Sequence, residues 1–195
     1  MDFVSTTDII SSSERLEGSD EFFGRFPDAW SSARSQVWKF ELQQHYNEPD
    51  SESWQIAMEG DLKAAIGKIP ASRAVDLPLY NDLCKRRVEF ARCRPIVFPR
   101  SKYIDWELNV YDYNSQHGER IYCFNFETLS IFVSDFLHHD FMIFDSRLAF
   151  IHDYSAEGDI MGGWMVSDPD SIKNLLALFS FAKANSQHFS FFLNQ

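Results

Sequence analysis

The last third of the chain limits the choice of fold most. Two apolar runs of strand length, Phe141 to Asp145 and Leu148 to Asp153, flank Ser146 and Arg147. That pattern predicts a tight hairpin. Ala156, Glu157, Gly158 and Asp159 form a second turn signal, and Ile160 to Val166 reads as a third strand. Gly162 and Gly163 in that strand point to a bulge or to a close approach of another backbone. Asp168 followed by Pro169 is a strong helix start. Ile172, Leu175, Leu176, Leu178, Phe179 and Ala182 continue that helix to Ala184. Strand, turn, strand, turn, strand and capped helix in this order exclude both an all-helical bundle and a pure sandwich.

The remainder alternates between the two element types. Trp38, Phe40 and Leu42 fall on one side of a period-two stretch and Val37 on the other, as in a half-buried strand. Ser51 or Ser53 is placed to cap a helix from Trp54 to Ile66, with Gly60 weakening its middle and Gly67 at its end. Pro70 to Pro78 reads as a connector, and a further helix is expected from Leu79 to Val88. Phe90 to Phe98 turns extended, and Pro95 argues against a central place in a sheet. Ser101 to Tyr113 is an amphipathic helix, Ile121 to Phe124 a short strand, and Phe126 to Phe136 is ambiguous. The expected organisation is a flexible polar leader over residues 1–18, an α/β domain over 19–186 and an aromatic tail over 187–195. That tail holds Phe189, Phe191, Phe192 and Leu193, too apolar to lie free in water. It should dock on the body or on a second copy, forming a homodimer.

Composition narrows the class further. Among 195 residues, 19 are Phe and 45% are hydrophobic, which suits a sizeable aromatic core. The net charge of −11 argues against unaided binding to nucleic acid or to an anionic membrane. The bases are concentrated: Lys85, Arg86, Arg87, Arg92, Arg94, Arg100 and Lys102 share one run with the single acid Glu89. Such a run is either neutralised within the molecule or forms a local anion site. Three cysteines without a Cys-x-x-Cys spacing support neither a zinc ribbon nor a redox pair and fit a reducing cytoplasm. The first residues lack the features of a signal peptide, and no apolar run reaches membrane-spanning length. A soluble cytoplasmic protein is the expectation.

Several of these pieces, in their order, resemble a bacterial family known as domain of unknown function 6879. They are Val37 to Glu41 with His45 and Tyr46; Trp54; Ala91 to Val97 before Tyr103 to Leu108; Gly118 to Ile121; and Asp140 to Asp145 with His152 and Asp153. The resemblance runs from about Phe22 to Ala184. It departs near Arg87 and Val88, where a glycine is usual, and in the leader and tail. It implies no activity, but it does imply a regulatory role beside a helix-turn-helix regulator. The ending is also similar to one half of a phospholipase D-like fold, an analogy of fold only.

The chemistry-bearing residues point away from catalysis. A phospholipase D-like centre needs His-x-Lys, and none of His45, His117, His138, His139, His152 and His188 has Lys two residues on. His138, His139 and Asp140 with His152 or His188 would be needed for a metal site, and no close second pair supports one. Asp145 and Asp153 flank turns, where Asp is commonly a turn former. No Walker loop, nucleophile elbow or dinucleotide motif is present, so neither a cofactor nor a resident metal is expected.

The most attractive set is Arg92 and Arg94 on one strand face with Tyr103 and Glu107 on one helix face. Either it locks helix to sheet or it lines a ligand pocket, with His152 nearby. The fold expected is a single α/β domain with a mixed sheet of five to seven strands flanked by helices. The function expected is non-enzymatic: a regulatory or interaction domain binding a protein partner or a small anionic ligand at Arg92, Arg94, Tyr103, Glu107 and His152. The alternatives are a phosphodiesterase or nuclease using His152 or His138 with a nearby Asp, and an acidic immunity or antitoxin protein neutralising a basic partner.

Overall fold

The computed structural model describes residues 3–195. Eight strands form one mixed sheet: β1 (Glu14–Glu17), β2 (Gln36–Phe40), β3 (Glu89–Ile96), β4 (Arg120–Asn125), β5 (Phe141–Phe144), β6 (Leu148–Tyr154), β7 (Ile160–Val166) and β8 (Gln187–His188). Their order is β1-β7-β6-β5-β2-β3-β4-β8. Only β2, β3 and β4 run parallel; every other neighbour pair is antiparallel.

The helices are α1 (Thr6–Ile10), α2 (Gly18–Gly24), α3 (Phe26–Ser32), α4 (Glu52–Glu59), α5 (Leu62–Ser72), α6 (Leu77–Arg86), α7 (Lys102–Gln116), α8 (Ser130–Phe136), α9 (Pro169–Ala184) and α10 (Ser190–Leu193). Parallel neighbours need crossovers. Helices α4, α5 and α6 connect β2 to β3, and α7 connects β3 to β4. The antiparallel half is the predicted meander: Phe141 faces Ile151 across the hairpin, and Ile151 faces Trp164 in β7.

Alternation along the strands gives the sheet two apolar faces. Phe40, Cys93, Phe141, Ile143 and Ile151 pack under α8 and α9, where Trp38 stacks on Phe179 at 4.8 Å. The opposite face is shared by two clusters. Val37, Phe90, Met142, Phe144 and Phe150 pack under α2, α3 and α6. Ile96, Ile121 and Cys123 pack under α7 with α5 and α10. The gap between these two clusters is where the polar residues of β2 and β3 sit.

The capping expectations hold. Asp168 accepts from the Ser171 N–H at 2.9 Å, Ser101 from Ile104 at 3.2 Å, and Ser51 from Trp54 at 3.3 Å. Ser53 takes another role: it is buried, accepts from Trp106 Nε1 at 2.8 Å and donates to the Ala65 carbonyl, tying α4 and α5 to α7. The single helix expected from Trp54 to Ile66 is two. Gly60 adopts φ 107°, which ends α4, and the Asp61 side chain caps α5. The connector expected between Pro70 and Pro78 is largely helical, since α5 continues to Ser72 and α6 starts at Leu77.

Other expectations are corrected. Pro95 lies inside β3, between β2 and β4, and not at an edge. It is tolerated because Cys93 and Pro95 turn their main-chain groups toward β2, whose pairing with β3 stops at Phe40 and Cys93. Beyond that point the Gln44 side chain replaces a strand: its Nε2 donates to the Pro95 carbonyl at 2.9 Å and its Oε1 accepts from Val97 N–H at 3.0 Å. The missing N–H therefore orphans no ladder bond.

The sheet is also wider than the five to seven strands expected, because the segments read as leader and tail supply its edges. Residues 6–17 form α1 and β1, and β1 pairs with β7 through Leu16 opposite Gly163. The tail returns onto its own chain. β8 pairs with β4, and Phe189 and Phe192 are buried against α7. The glycine missing near Arg87 leaves a mark: Arg87 itself takes the left-handed conformation, φ 59°, to end α6.

Gly162 and Gly163 serve the close approach predicted for them. A β-carbon on Gly163 would lie 2.2 Å from the Ile151 carbonyl oxygen and 2.4 Å from the Phe22 ring. One on Gly162 would lie 2.4 Å from the Leu16 oxygen. A bulge follows beside them at Asp153 and Tyr154.

Candidate functional site

The parallel register sets the polar centre. Lys39 stands opposite Arg92 on β3, and Glu41 continues β2 one alternation further on the same face. From α7, spacings of three and four bring Tyr103, Glu107, Tyr111 and Asn114 over these strands. The four residues picked from the sequence, Arg92, Arg94, Tyr103 and Glu107, are thus brought together.

What surrounds them is a dense network. Arg92 Nη1 donates to Glu41 Oε1 at 2.6 Å and its Nε to Glu119 Oε1 at 2.7 Å. Arg92 reaches Glu107 Oε1 at 3.4 Å. Lys39 Nζ lies 2.7 Å from Glu41. Arg94 has no solvent exposure. It donates to the Tyr111 hydroxyl at 2.7 Å and to the Gln43 carbonyl, and it reaches Glu41 Oε2 at 3.5 Å. Tyr111 in turn donates to Glu41 Oε2 at 2.7 Å. Glu119 also accepts from Asn114 at 3.0 Å and Tyr80 at 3.1 Å. Tyr103 donates to Glu48 at 2.9 Å, and Arg73 holds the other Glu48 oxygen at 2.8 Å.

The two arginines are therefore each neutralised inside the chain. The basic run behaves similarly elsewhere: Arg86 pairs with Asp82 and Arg100 with Asp105.

Burial and charge set the protonation of the network. Burial alone would raise the Glu41 carboxyl, but Arg92, Lys39 and Arg94 hold it well below the usual carboxylate range. Glu107 goes the other way. Burial, with Glu48 and Glu41 beside it, pushes it up to about 7 against the pull of Arg73 and Arg92. Burial pushes Asp140 up to about 6 against hydrogen bonds from the Tyr46 hydroxyl and the Leu42 N–H. His152 is pushed down to about 3 by burial and by Lys39, so its ring is neutral.

In front of the network lies a cavity of about 600 Å³. Lys39, Glu41, Arg92, Tyr103, Glu107 and His152 line it, with Tyr46, Glu48, Arg73 and Asn114 completing its polar wall. Arg94 is behind this wall and does not line the cavity.

The catalytic alternatives do not assemble. His152 is buried against the rings of Phe22, Phe26 and Tyr154, with Nδ1 3.4 Å from the Asp140 carbonyl. Asp140 and His152 are opposite in the hairpin, and the His152 N–H donates to the Asp140 carbonyl at 2.9 Å. The Asp140 carboxylate, however, is taken by Leu42 and Tyr46. His138 is exposed, and His139 packs on Trp164 near Thr6. His188 contacts Ser190 at the far edge strand. Among the described residues no group of three His, Cys, Asp or Glu side chains could hold a metal ion. Asp145 accepts from the N–H groups of Arg34, Ser35 and Gln36, whereas Asp153 pairs with Arg15 at 2.8 Å, so the two carboxylates are spent separately.

Glu41, Glu48, Arg73 and Asn114 escaped the reading of the sequence as site residues. Glu41 had a signal, since Lys39 and Glu41 share the strand face of Val37. Asn114 lies seven residues beyond Glu107 and so on its helical stripe. Glu48 and Arg73 come from loop and helix-end positions that carry no periodicity.

Among the described residues no helix is long and apolar enough to cross a membrane. No curated protein matches the chain. Among solved structures the chain is similar to TrmBL2, an archaeal chromatin protein, with 9% identity and a TM-score of 0.46. The match covers 89% of this chain and 53% of that one, so the chain spans about half the length of that protein. The likeness is too distant to carry an inference, and the phospholipase D-like analogy is not shown. The family model described as Domain of unknown function (DUF6879) matches residues 24–194, from the end of α2 to the tail. The chain belongs to that family.

Proposed function

We propose that this domain is a non-catalytic binding module: it takes a small molecule into the cavity over β2 and β3 and acts through a protein partner. One observation carries the reading. A cavity of about 600 Å³, of the size that holds small ligands, opens onto a wall whose charges are fixed by one another. Arg92, Glu41 and Tyr111 have their hydrogen-bonding capacity committed to the network, so they hold shape and are not free to react. The partner proposed is a bacterial helix-turn-helix regulator, which would sense occupancy of the cavity.

The competing reading is a phosphodiesterase. Its support is that His152 lines the cavity. Against it, a neutral imidazole packed among three aromatic rings, with its Nδ1 facing a main-chain carbonyl, has no carboxylate to orient it as a base.

The test is a screen of small metabolites against the full chain by two-dimensional NMR, reading Trp30 and Asn114 on the cavity wall, together with a phosphodiester hydrolysis assay. Ligands that shift these resonances without turnover support the binding module. Hydrolysis that disappears in His152→Gln overturns it.

A further inference from the structure

Few buried polar side-chain atoms in this protein lack a hydrogen-bonding partner, and they are not scattered. Among the described residues they are Arg15 Nη1, Arg73 Nε, Arg94 Nε, Glu107 Oε2 and Asn114 Oδ1. Three of these five belong to residues lining one cavity: Arg73, Glu107 and Asn114. A buried polar group without a partner costs free energy, so an occupant that drew these side chains toward the cavity they line would satisfy them.

Two of the three are acceptors. Glu107 is 97% buried, and its Oε1 is turned to Arg92. The Asn114 amide is oriented by its Nδ2 donating to Glu119, which leaves Oδ1 as the free end. The wall is also acidic. It carries six carboxyl groups, on Glu41, Glu48, Asp50, Asp76, Glu107 and Asp159, against the three bases Lys39, Arg73 and Arg92. Seven aromatic rings complete it, Trp30, Tyr46, Phe90 and Tyr154 among them. Free acceptors, an excess of negative charge and aromatic faces together suit an organic cation.

Resting on the binding-module reading above, we infer that the cavity takes a small organic cation, an amine or guanidine on an apolar body, toward which Glu107 and Asn114 turn so that its N–H groups donate to Glu107 Oε2 and Asn114 Oδ1. An anion would find one free donor, Arg73 Nε, on a guanidinium already paired with Glu48, and would face the free oxygen of Glu107 and the carboxylates around it.

Ionisation of Glu107 tunes this site. Glu48 and Glu41 raise its pKa, both from the segment that follows β2. Arg73 at the end of α5 and Arg92 on β3 lower it. Arg94 on β3 lies 4.0 Å away, and Tyr103 is on the same helix. A bound cation favours the carboxylate, so affinity should rise from pH 6 to pH 8.

The experiment uses three probes of one shape and different charge: benzylamine, benzyl alcohol and benzoate. Each is titrated into the full chain, with the Trp30 indole and Asn114 amide resonances as readout. Benzylamine is expected to bind, and benzyl alcohol about tenfold or more weakly, the equivalent of one charged hydrogen bond. Glu107→Gln should lose about the same factor for benzylamine with no loss for benzyl alcohol. Benzoate binding more tightly than benzylamine in this cavity overturns the inference but leaves the binding module standing. Equal affinity of wild type and Glu107→Gln for benzylamine also overturns it. The comparison within wild type decides the matter if that variant does not fold. No shift at either reporter with any probe counts against both readings.

Discussion

Glu41, the residue after β2, and Arg92 on the parallel neighbour β3 share a 2.6 Å ion pair, with side chains 3% and 10% exposed. Glu41 is also the common acceptor for Lys39 and Tyr111 and lies within 3.5 Å of Arg94. Removing it would leave Arg94 without its nearest carboxylate and Arg92 with only Glu119 and Glu107. Glu41→Ala should therefore lose about 3–5 kcal/mol, the range for breaking a buried pair from one side. Urea unfolding at neutral pH checks this. A loss below about 1 kcal/mol would mean that the network is solvated like a surface pair.

His152 makes the protein sensitive to acid in a defined window. Its folded value is pushed down to about 3, below the ordinary value near 6.5. Between those limits the unfolded chain binds the extra proton, so stability falls as pH falls. Asp140 and Glu107 are shifted upward and act with the opposite sign, so the histidine is best isolated by difference. The stability of wild type minus that of His152→Gln should fall by about 1.4 kcal/mol per pH unit from about pH 5.5 to pH 4. Denaturation curves over that range give the slope. A flat difference would mean that the imidazole reaches solvent.

Gly163→Ala would place a methyl group 2.2 Å from the Ile151 oxygen and 2.4 Å from the Phe22 ring. Because one obstacle is backbone, relief requires β6 and β7 to part. A loss of about 1–3 kcal/mol or more is expected, by overpacking and not by backbone torsion. Thermal unfolding measures it.

The tail is part of the core. Phe189 and Phe192 are 1% and 2% exposed and pack with Tyr111 and neighbouring residues of α7. Phe192→Ala should cost about 3–5 kcal/mol. Unfolding should remain independent of protein concentration, because the tail docks on its own chain. A midpoint that rises with concentration would instead indicate exchange of the tail between copies.

How much of this was legible follows from range. The hairpin, the Asp168 cap and the α7 stripe are local patterns, and each lies where its residues predicted. β1 was not legible because only Leu16 of its four residues is buried, which leaves no alternation to read. Pro95 misled because the Gln44 side chain that replaces its partner strand lies 51 residues away. The candidate site shows the same division. Alternation correctly put Arg92 and Arg94 on one face. It could not give their partners, since Glu41, Glu119 and Tyr111 reach them only through the parallel register of β2, β3 and β4 and the seating of α7. Arg94 consequently looked like a ligand group, when its guanidinium is sealed behind the cavity wall.

The division of labour between framework and binding group is tested most directly by unfolding Arg94→Ala and Glu107→Gln side by side in urea at pH 8. Arg94 is wholly buried and bound to Tyr111, Gln43 and Glu41, so Arg94→Ala should lose about 3–5 kcal/mol. Glu107 carries an orphan oxygen and a carboxyl raised to about 7, so its charge opposes folding at that pH, and Glu107→Gln should match or exceed wild type. An Arg94→Ala protein as stable as wild type, with Glu107→Gln unfolded, would contradict the assignment of Arg94 to the framework and of Glu107 to the cavity.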